Sequence, residues 1–377
     1  MSDDPGQQYF SDGITEDIIT ELSRFHSLFV RSSSSTFGHR GVGDVTRLGR
    51  DLGVGYVVEG SVRKLRDRIR ITTQLVDAKS GDHLWAERFD HDQQDIFAVQ
   101  DEVVGTIVGT LVGRLQAAGA ERVRRKPPAS LAAYECVLRG SALAIGDPDA
   151  EAEARALYEK AIALDPDYAR AHALLAYLLS IRWFCDLSGS DAALDRALDL
   201  AKRAVALDDN DSICHDHLGW IYLNRKSFDL AEHHKQRALE LTPNCPEQVA
   251  CMGVLQTFLG NPEEAIAWFA QARRLDPYFD PAWYWRMQAI AHFIARRYDE
   301  AISGFSRSST TPVWVDAYLA ACHALTDEAD RARAFAAEVL RREPGFSAAR
   351  LALKEPYRRQ ADRDHLLAGM RKAGLPD

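Results

Sequence analysis

From residue 131 onward the chain repeats itself at intervals close to 34 residues, and a period of that length admits very few folds. The repeating frame is alanine, three residues, a bulky residue, two residues, alanine, and a proline five residues further on. It is cleanest at Ala154, Tyr158, Ala161, Pro166 and at Ala265, Phe269, Ala272, Pro277. Ala231, Lys235, Ala238, Pro243 and Ala332, Ala336, Val339, Pro344 keep the frame with weaker residues. Small residues at these points let two antiparallel helices approach closely, and proline cannot continue a helical hydrogen-bond ladder. The first alanines stand at 154, 197, 231, 265, 301 and 332, so two intervals are 34, the first is 43, and the last two are 36 and 31. The long interval predicts a nine-residue insertion, with the stretch around 184–191 as its natural place, and in the copy at Ala197 the proline is replaced by Asp209. One such hairpin cannot bury its apolar side alone, so neighbours stack into a continuous core. A stack of this kind offers a surface for recognition, and no catalytic activity is expected of it.

The bulk numbers agree. A chain of 377 residues has room for two or three domains, and its net charge of -9 argues against direct nucleic-acid binding, which calls for a basic face. No stretch reaches the ~20 apolar residues that cross a bilayer. The most apolar helical candidate, 103–115, is interrupted by Gly105, Gly109 and Gly113. The start Met1-Ser2-Asp3-Asp4-Pro5 lacks the basic flank and apolar core of a signal peptide, so a cytoplasmic location is expected. Six scattered cysteines with no CxxC pair read as free thiols inside helices.

Residues 1–118 carry a different pattern. A helix is expected over 14–24 with Asp12 as its cap, a short strand at 28–30, and a second helix over 44–52 stopped by Gly53. Three strands follow at 56–65, 68–77 and 84–89, with turns at 66–67 and 79–82, and a third helix spans 94–115. In 68–75 apolar and polar residues alternate, so one face of that strand is buried and the other wet. This is a small α+β domain. Arg122, Arg124, Arg125, Lys126, Pro127 and Pro128 make 119–130 a semi-rigid basic connector to the all-α repeats of 131–346. Two short helical segments within 347–377 suit a cap over the last repeat.

The region 131–346, with Leu218, Gly219, Tyr222, Ala231, Ala238 and Pro243 as its most complete copy, resembles about six repeats of the tetratricopeptide family. The resemblance implies that the first helix of each pair lines a concave groove. With repeats beginning at 169, 212, 246, 280 and 313, the inward positions include Tyr177, Trp220, Phe258, Tyr284, Trp285, Trp314 and Tyr318. Large rings on such a surface would anchor a peptide or protein partner, or else serve as ordinary packing between helices. Trp283 sits at a packing position. Members that grip a terminal carboxylate use paired Lys and Asn; Asp216, Ala250 and Tyr284 stand at the comparable places here. A more apolar ligand is expected, another part of the same polypeptide included.

A second resemblance covers about residues 5–116. Asp12-Gly13-Ile14-Thr15-Glu16-Asp17, Val58-Glu59-Gly60-Ser61-Val62, Gly81-Asp82-His83-Leu84-Trp85-Ala86-Glu87-Arg88 and Asp95-Ile96-Phe97-Ala98-Val99-Gln100 are together similar to TolB amino-terminal-like domains. In bacteria that domain followed by tetratricopeptide repeats resembles the regulatory half of class III nucleotide cyclases or of winged-helix regulators. A separately encoded cyclase or regulator domain is therefore an implied partner. In the family an apolar strand precedes the segment that starts here at Asp4; either the true start lies upstream or the sheet is expected without that strand.

Motifs for chemistry do not assemble. Phe10-Ser11-Asp12-Gly13-Ile14 is faintly similar to the metal-binding aspartate motif of class III cyclases, but no second aspartate stands in matching context. Cys214, His215, His217, His233 and His234 cluster in one repeat and are candidates for zinc. Adjacent histidines on a helix point about 100° apart, so histidines packed between helices are the expected reading. The glycine-rich stretches 38–43 and 52–55 lack a phosphate-loop lysine, and Ser32 to Ser35 read as a loop or strand edge. No catalytic residue, cofactor or metal is expected.

Overall fold

The structure, a computed structural model, describes residues 5–24, 29–37, 44–65, 68–92, 103–104, 129–143, 147–185, 191–276, 279–307 and 311–377. The chain divides into two compact units. The first comprises Met1–Ala171 with Leu241–Pro246 and Leu275–Phe279; the second comprises His172–Glu240, Glu247–Arg274 and Asp280–Asp377.

In the first unit, α1 (Pro5–Ser23), α2 (Ser33–Phe37) and α3 (Val45–Leu52) precede the strands β1 (Tyr56–Leu65), β2 (Arg68–Asp77) and β3 (His83–Asp92). The strands form an antiparallel meander in which Val62 faces Ile71 and Ile71 faces Phe89. Their alternation does what the sequence implies. Ile71, Thr73, Leu75 and Phe89 are buried, while the other face carries an Arg70–Asp90 ion pair at 2.6 Å and a Gln74–Glu59 hydrogen bond at 2.7 Å. Asp44 caps α3 by accepting from the Arg47 backbone N–H at 3.0 Å, and Gly53 ends it in the left-handed region at φ 63°.

Three expectations for this unit need correction. Helix α1 begins at Pro5, not at residue 14, so Asp12 lies inside it and not at its cap position; proline is well tolerated in a first turn. Gly13 is used for close packing, because a Cβ there would meet Leu138 Cδ2 at 2.2 Å. The expected strand at 28–30 is absent at Phe29 and Val30, and Phe29 is 70% exposed; residue 28 lies outside the described residues. The serine run opens α2 as a helical turn. Ser32 and Ser35 hydroxyls donate to Asp276 Oδ2 at 2.6 and 2.5 Å, joined by the Ser32 backbone N–H at 3.0 Å. Asp17 of α1 has a packing use: it accepts from Tyr134 Oη at 2.5 Å and pairs with Arg170 Nη1 at 2.7 Å. Of the expected helix 94–115 only Val103 and Val104 are described, both helical and buried. The connector at 119–128, the glycines at 38–43 and positions 186–190 of the insertion lie outside the described residues.

From residue 131 on the chain is helical, a tetratricopeptide-like array of antiparallel pairs. The first helices are α4 (Leu131–Ser141), α6 (Ala169–Cys185), α8 (Ser212–Asn224), α10 (Pro246–Leu259), α12 (Ala282–Ile294) and α14 (Val313–Leu325). Their partners are α5 (Pro148–Leu164), α7 (Ala192–Leu207), α9 (Phe228–Leu241), α11 (Pro262–Leu275), α13 (Tyr298–Phe305) and α15 (Ala329–Arg342). Small-against-large packing explains the repeating frame. In three of the six pairs the anchor of the second helix sits over a glycine of the first: a Cβ at Gly140 would meet Tyr158 at 2.6 Å, at Gly219 Lys235 at 2.9 Å, and at Gly253 Phe269 at 3.0 Å.

Within four successive pairs the turn holds one left-handed residue: Lys226 (φ 57°), Gly260 (86°), Arg296 (64°) and Asp327 (61°). After each, a backbone N–H returns to the helix just ended, as Ser227 to Tyr222 O at 2.9 Å and Glu328 to His323 O at 2.8 Å. Three non-glycine residues accept about 1 kcal/mol of strain each to keep these turns short. The chain ends in α16 (Ala348–Lys354) and α17 (Gln360–Lys372), a helical hairpin closed by the Ala348 N–H on Pro376 O at 2.8 Å. Expected as a cap, it reaches much further: α17 packs on α14, and the tip between the two helices touches residues as early as Trp183. Among the described residues no helix is long and apolar enough to cross a membrane.

Candidate functional site

The seven rings expected on the groove divide five to two. Trp220, Phe258, Tyr284, Trp314 and Tyr318 are all buried, none more than 6% exposed. Tyr284 donates its hydroxyl to Phe269 O at 2.9 Å. Phe184 meets both Trp220 and Trp314 edge-on at 5.8 Å, so rings from α6, α8 and α14 close on one another across non-adjacent repeats. Among the described residues the indole N–H groups of Trp220 and Trp314 find no acceptor, a cost of about 1–3 kcal/mol each that a well-packed ring offsets. These rings are interior in this arrangement. Tyr177 and Trp285 are only half-buried. Tyr177 stacks on His217 at 4.4 Å, and Trp285 lies beneath the Arg307 guanidinium at 3.8 Å while its Nε1–H donates to Asp280 at 2.5 Å.

What covers Phe258 and Tyr318 is the chain itself. Tyr357, 1% exposed at the hairpin tip, places its ring 5.4 Å from Phe258 and its hydroxyl 2.6 Å from that of Tyr318. Glu355 beside it is fully buried, and among the described residues neither carboxyl oxygen has a partner at ordinary hydrogen-bond distance, the Tyr318 hydroxyl being a polar group that acts on it. Burial lifts its pKa to about 8, against a smaller downward pull from the Tyr318 hydroxyl and the Lys226 ammonium. Sequence reading passed over this segment. The signal was Pro356-Tyr357 between two helical stretches, an extended aromatic site where a plain cap needs none.

The positions that grip carboxylates in other proteins of this kind do something else here. Asp216 and Lys235 form a buried ion pair at 2.6 Å, while Ala250 and Tyr284 are buried in the packing between helices. Burial pushes the Asp216 carboxyl up, but Lys235 and His217 beside it hold it below its ordinary value. Burial also lowers Lys235, and Asp216 more than restores it. Lys235 thus takes the place of the usual aromatic anchor by folding its stem over Gly219 and giving its charge to Asp216.

The histidines do not converge on a metal. His215 Nε2–H donates to Asp209 O at 3.1 Å, which leaves its Nδ1 to accept from His234 Nδ1–H at 3.0 Å. His217 turns away to Ala173 O at 3.2 Å. Burial lowers His215, and it holds His217 and His234 down at about 4. No group of His, Cys, Asp and Glu suited to a metal occurs among the described residues. The stretch once compared with a cyclase metal motif, around Asp12, lies inside α1.

Comparison with known proteins bears on both parts of the chain. Residues 5–106 match the family model of the HilA/YgeH-like transcriptional regulator, second domain. That name stands where the TolB-like one was expected, over nearly the same span. A curated relative from Rhizobium meliloti (strain 1021), "Putative adenylate cyclase 3", is 40% identical over 236 residues. The match takes in 62% of this chain and 40% of that protein, so the chain spans well under half the length of its relative. A tetratricopeptide repeat protein from Parabacteroides merdae ATCC 43184 aligns at 13% identity and TM-score 0.42, over 74% of this chain and 96% of that one. The APC/C hetero-tetramer Cut9-Hcn1 aligns at 19% identity and TM-score 0.46, over 63% and 42%. The chain thus joins a segment similar to the HilA/YgeH-like second domain to a tetratricopeptide-like array of helix pairs.

Proposed function

We propose that this chain is a non-catalytic regulatory scaffold of a bacterial signalling system, working in the cytoplasm. Its helical array binds a peptide or protein, and its α+β segment passes that event to an effector of the nucleotide-cyclase or DNA-binding kind. The observation that carries this reading is the pairing of a regulator-type segment at 5–106 with an array whose repeated small and bulky anchors are spent on packing. The curated relative favours a cyclase as effector; the family model favours a transcription regulator. Tyr177 and Trp285, the two groove rings that keep solvent contact, are the residues assigned to the partner.

Two measurements test it. Purified chain incubated with ATP or GTP and magnesium or manganese is expected to make no cyclic nucleotide; product formation refutes the non-catalytic reading. A pull-down from the source bacterium, comparing the intact chain with a Tyr177→Ala, Trp285→Ala variant, is expected to lose its partner in the variant. Equal recovery by both forms removes the groove from the proposal.

A further inference from the structure

The terminal hairpin follows the intra-pair turns in order. Lys226 Nζ donates to Leu353 O at 2.7 Å, Arg359 crosses Gly260 so closely that a Cβ there would meet its Nε at 2.5 Å, His365 accepts or donates at Tyr298 Oη at 3.0 Å, and Lys372 Nζ reaches Asp327 at 2.7 Å. Six or seven residues of hairpin thus pass for each repeat. Along α17 that is about 9 Å of helix rise, the usual spacing between packed helices. At the tip the contacts change character. The Arg358 backbone N–H donates to Phe258 O at 2.9 Å, and Tyr357 fills the hollow between Phe258 and Tyr318. The Lys354 ammonium lies 4.4 Å over Trp183, the Arg358 guanidinium 5.8 Å from the Phe228 ring centre, and Arg359 Nη2 donates to Asn261 at 3.2 Å.

We propose that the hollow of Phe258, Tyr318, Lys226 and Trp183 is a recognition seat for an extended basic peptide bearing one aromatic residue, and that the hairpin tip at Tyr357 occupies it in cis. The inference rests on the reading of the array as a peptide-binding scaffold. Main-chain bonds at 353 and 358, one ring in a pocket and cations laid on aromatic faces are how a groove holds an extended segment. A permanent cap gains little from burying a carboxyl group that no donor meets at close range, yet Glu355 is fully buried with no partner at ordinary hydrogen-bond distance among the described residues. Such an occupant is held less tightly than the seat allows, so a competitor with the aromatic and basic residues but no acid at that place displaces it. The net charge of -9 favours a basic competitor.

An occupant tethered by a short segment acts at an effective concentration on the order of millimolar, enough to weaken a micromolar competitor by at least tenfold. The probe is a labelled peptide copying residues 353–361, read by fluorescence anisotropy on the full-length chain. A folded Tyr357→Ala chain is expected to bind it at least tenfold more tightly than wild type, and a peptide with Gln at the Glu355 position more tightly still. No gain on the folded variant overturns the proposal. Should Tyr357→Ala fail to fold, a Lys354→Ala, Arg359→Ala chain decides: a several-fold gain supports the seat, and unchanged binding overturns it. The Tyr177→Ala, Trp285→Ala pull-down is independent of the tip, so the scaffold reading and the seat fail separately.

Discussion

Replacing Glu355 by glutamine takes one ionisable proton out of the interior and leaves the shape of the side chain nearly unchanged. In the folded protein the acid holds its proton to about pH 8; unfolded, it releases it near 4.5. Between those values the folded state binds more protons, so stability falls as pH rises, by about 1.4 kcal/mol per pH unit for an unscreened group. At pH 7 the ceiling is about 3 kcal/mol, and local relaxation around a buried charge brings the working figure to about 1–2 kcal/mol. Glu355→Gln is therefore expected to match wild type at pH 4.5 and to exceed it by about 1–2 kcal/mol at pH 7.5, or roughly 2–8 °C in Tm. Thermal and urea unfolding of both forms at pH 4.5, 6, 7.5 and 9 gives the difference curve. The titrations of other groups are common to both proteins and cancel in it. Parallel pH profiles, or a glutamine variant less stable at pH 7.5, would refute the account of Glu355 as a protonated, unsatisfied acid.

Lys235→Met leaves Asp216 buried without its partner and should cost about 3–5 kcal/mol by urea unfolding, whereas Lys235→Phe combined with Asp216→Leu, which restores an apolar anchor, should come within about 1 kcal/mol of wild type. His217, His234 and His365, each held down at about 4 chiefly by burial, predict acid weakening: the unfolded chain takes up their protons below about pH 6.5 and the folded one resists until about 4. Stability measured from pH 7 to 4 on the Glu355→Gln background should fall across that window, and a flat profile would contradict the buried, neutral rings. Gly304→Ala sets a methyl 2.9 Å from Ala289 Cβ and 3.2 Å from Trp285 O, neither of which can swing aside, so a loss of about 1–3 kcal/mol is expected in the same unfolding assay.

The packing of the array was legible only up to the point where local pattern ends. The alanine frame marked Ala231, Ala238, Ala265 and Ala272 as contact points, and all four are fully buried. Helix phase set which face the aromatic rings share, but facing a neighbour and facing a groove look alike in a 3.6-residue period. It could not say which rings would be covered, because Phe184 against Trp314 and Phe258 against Tyr357 are contacts between residues about a hundred positions apart. Lys235 looked like a degraded anchor for the same reason: its meaning depends on Asp216, which sits on the facing helix.

The amino-acid sequence alone determined the helix pairs and the three successive strands, since periodicity, caps and proline stops act within a few residues. Only the tertiary structure decided that the terminal segment folds back and buries Glu355 and Tyr357 against the array. That outcome depends on how small rotations accumulate from repeat to repeat until distant surfaces meet, and no short stretch of sequence carries that sum.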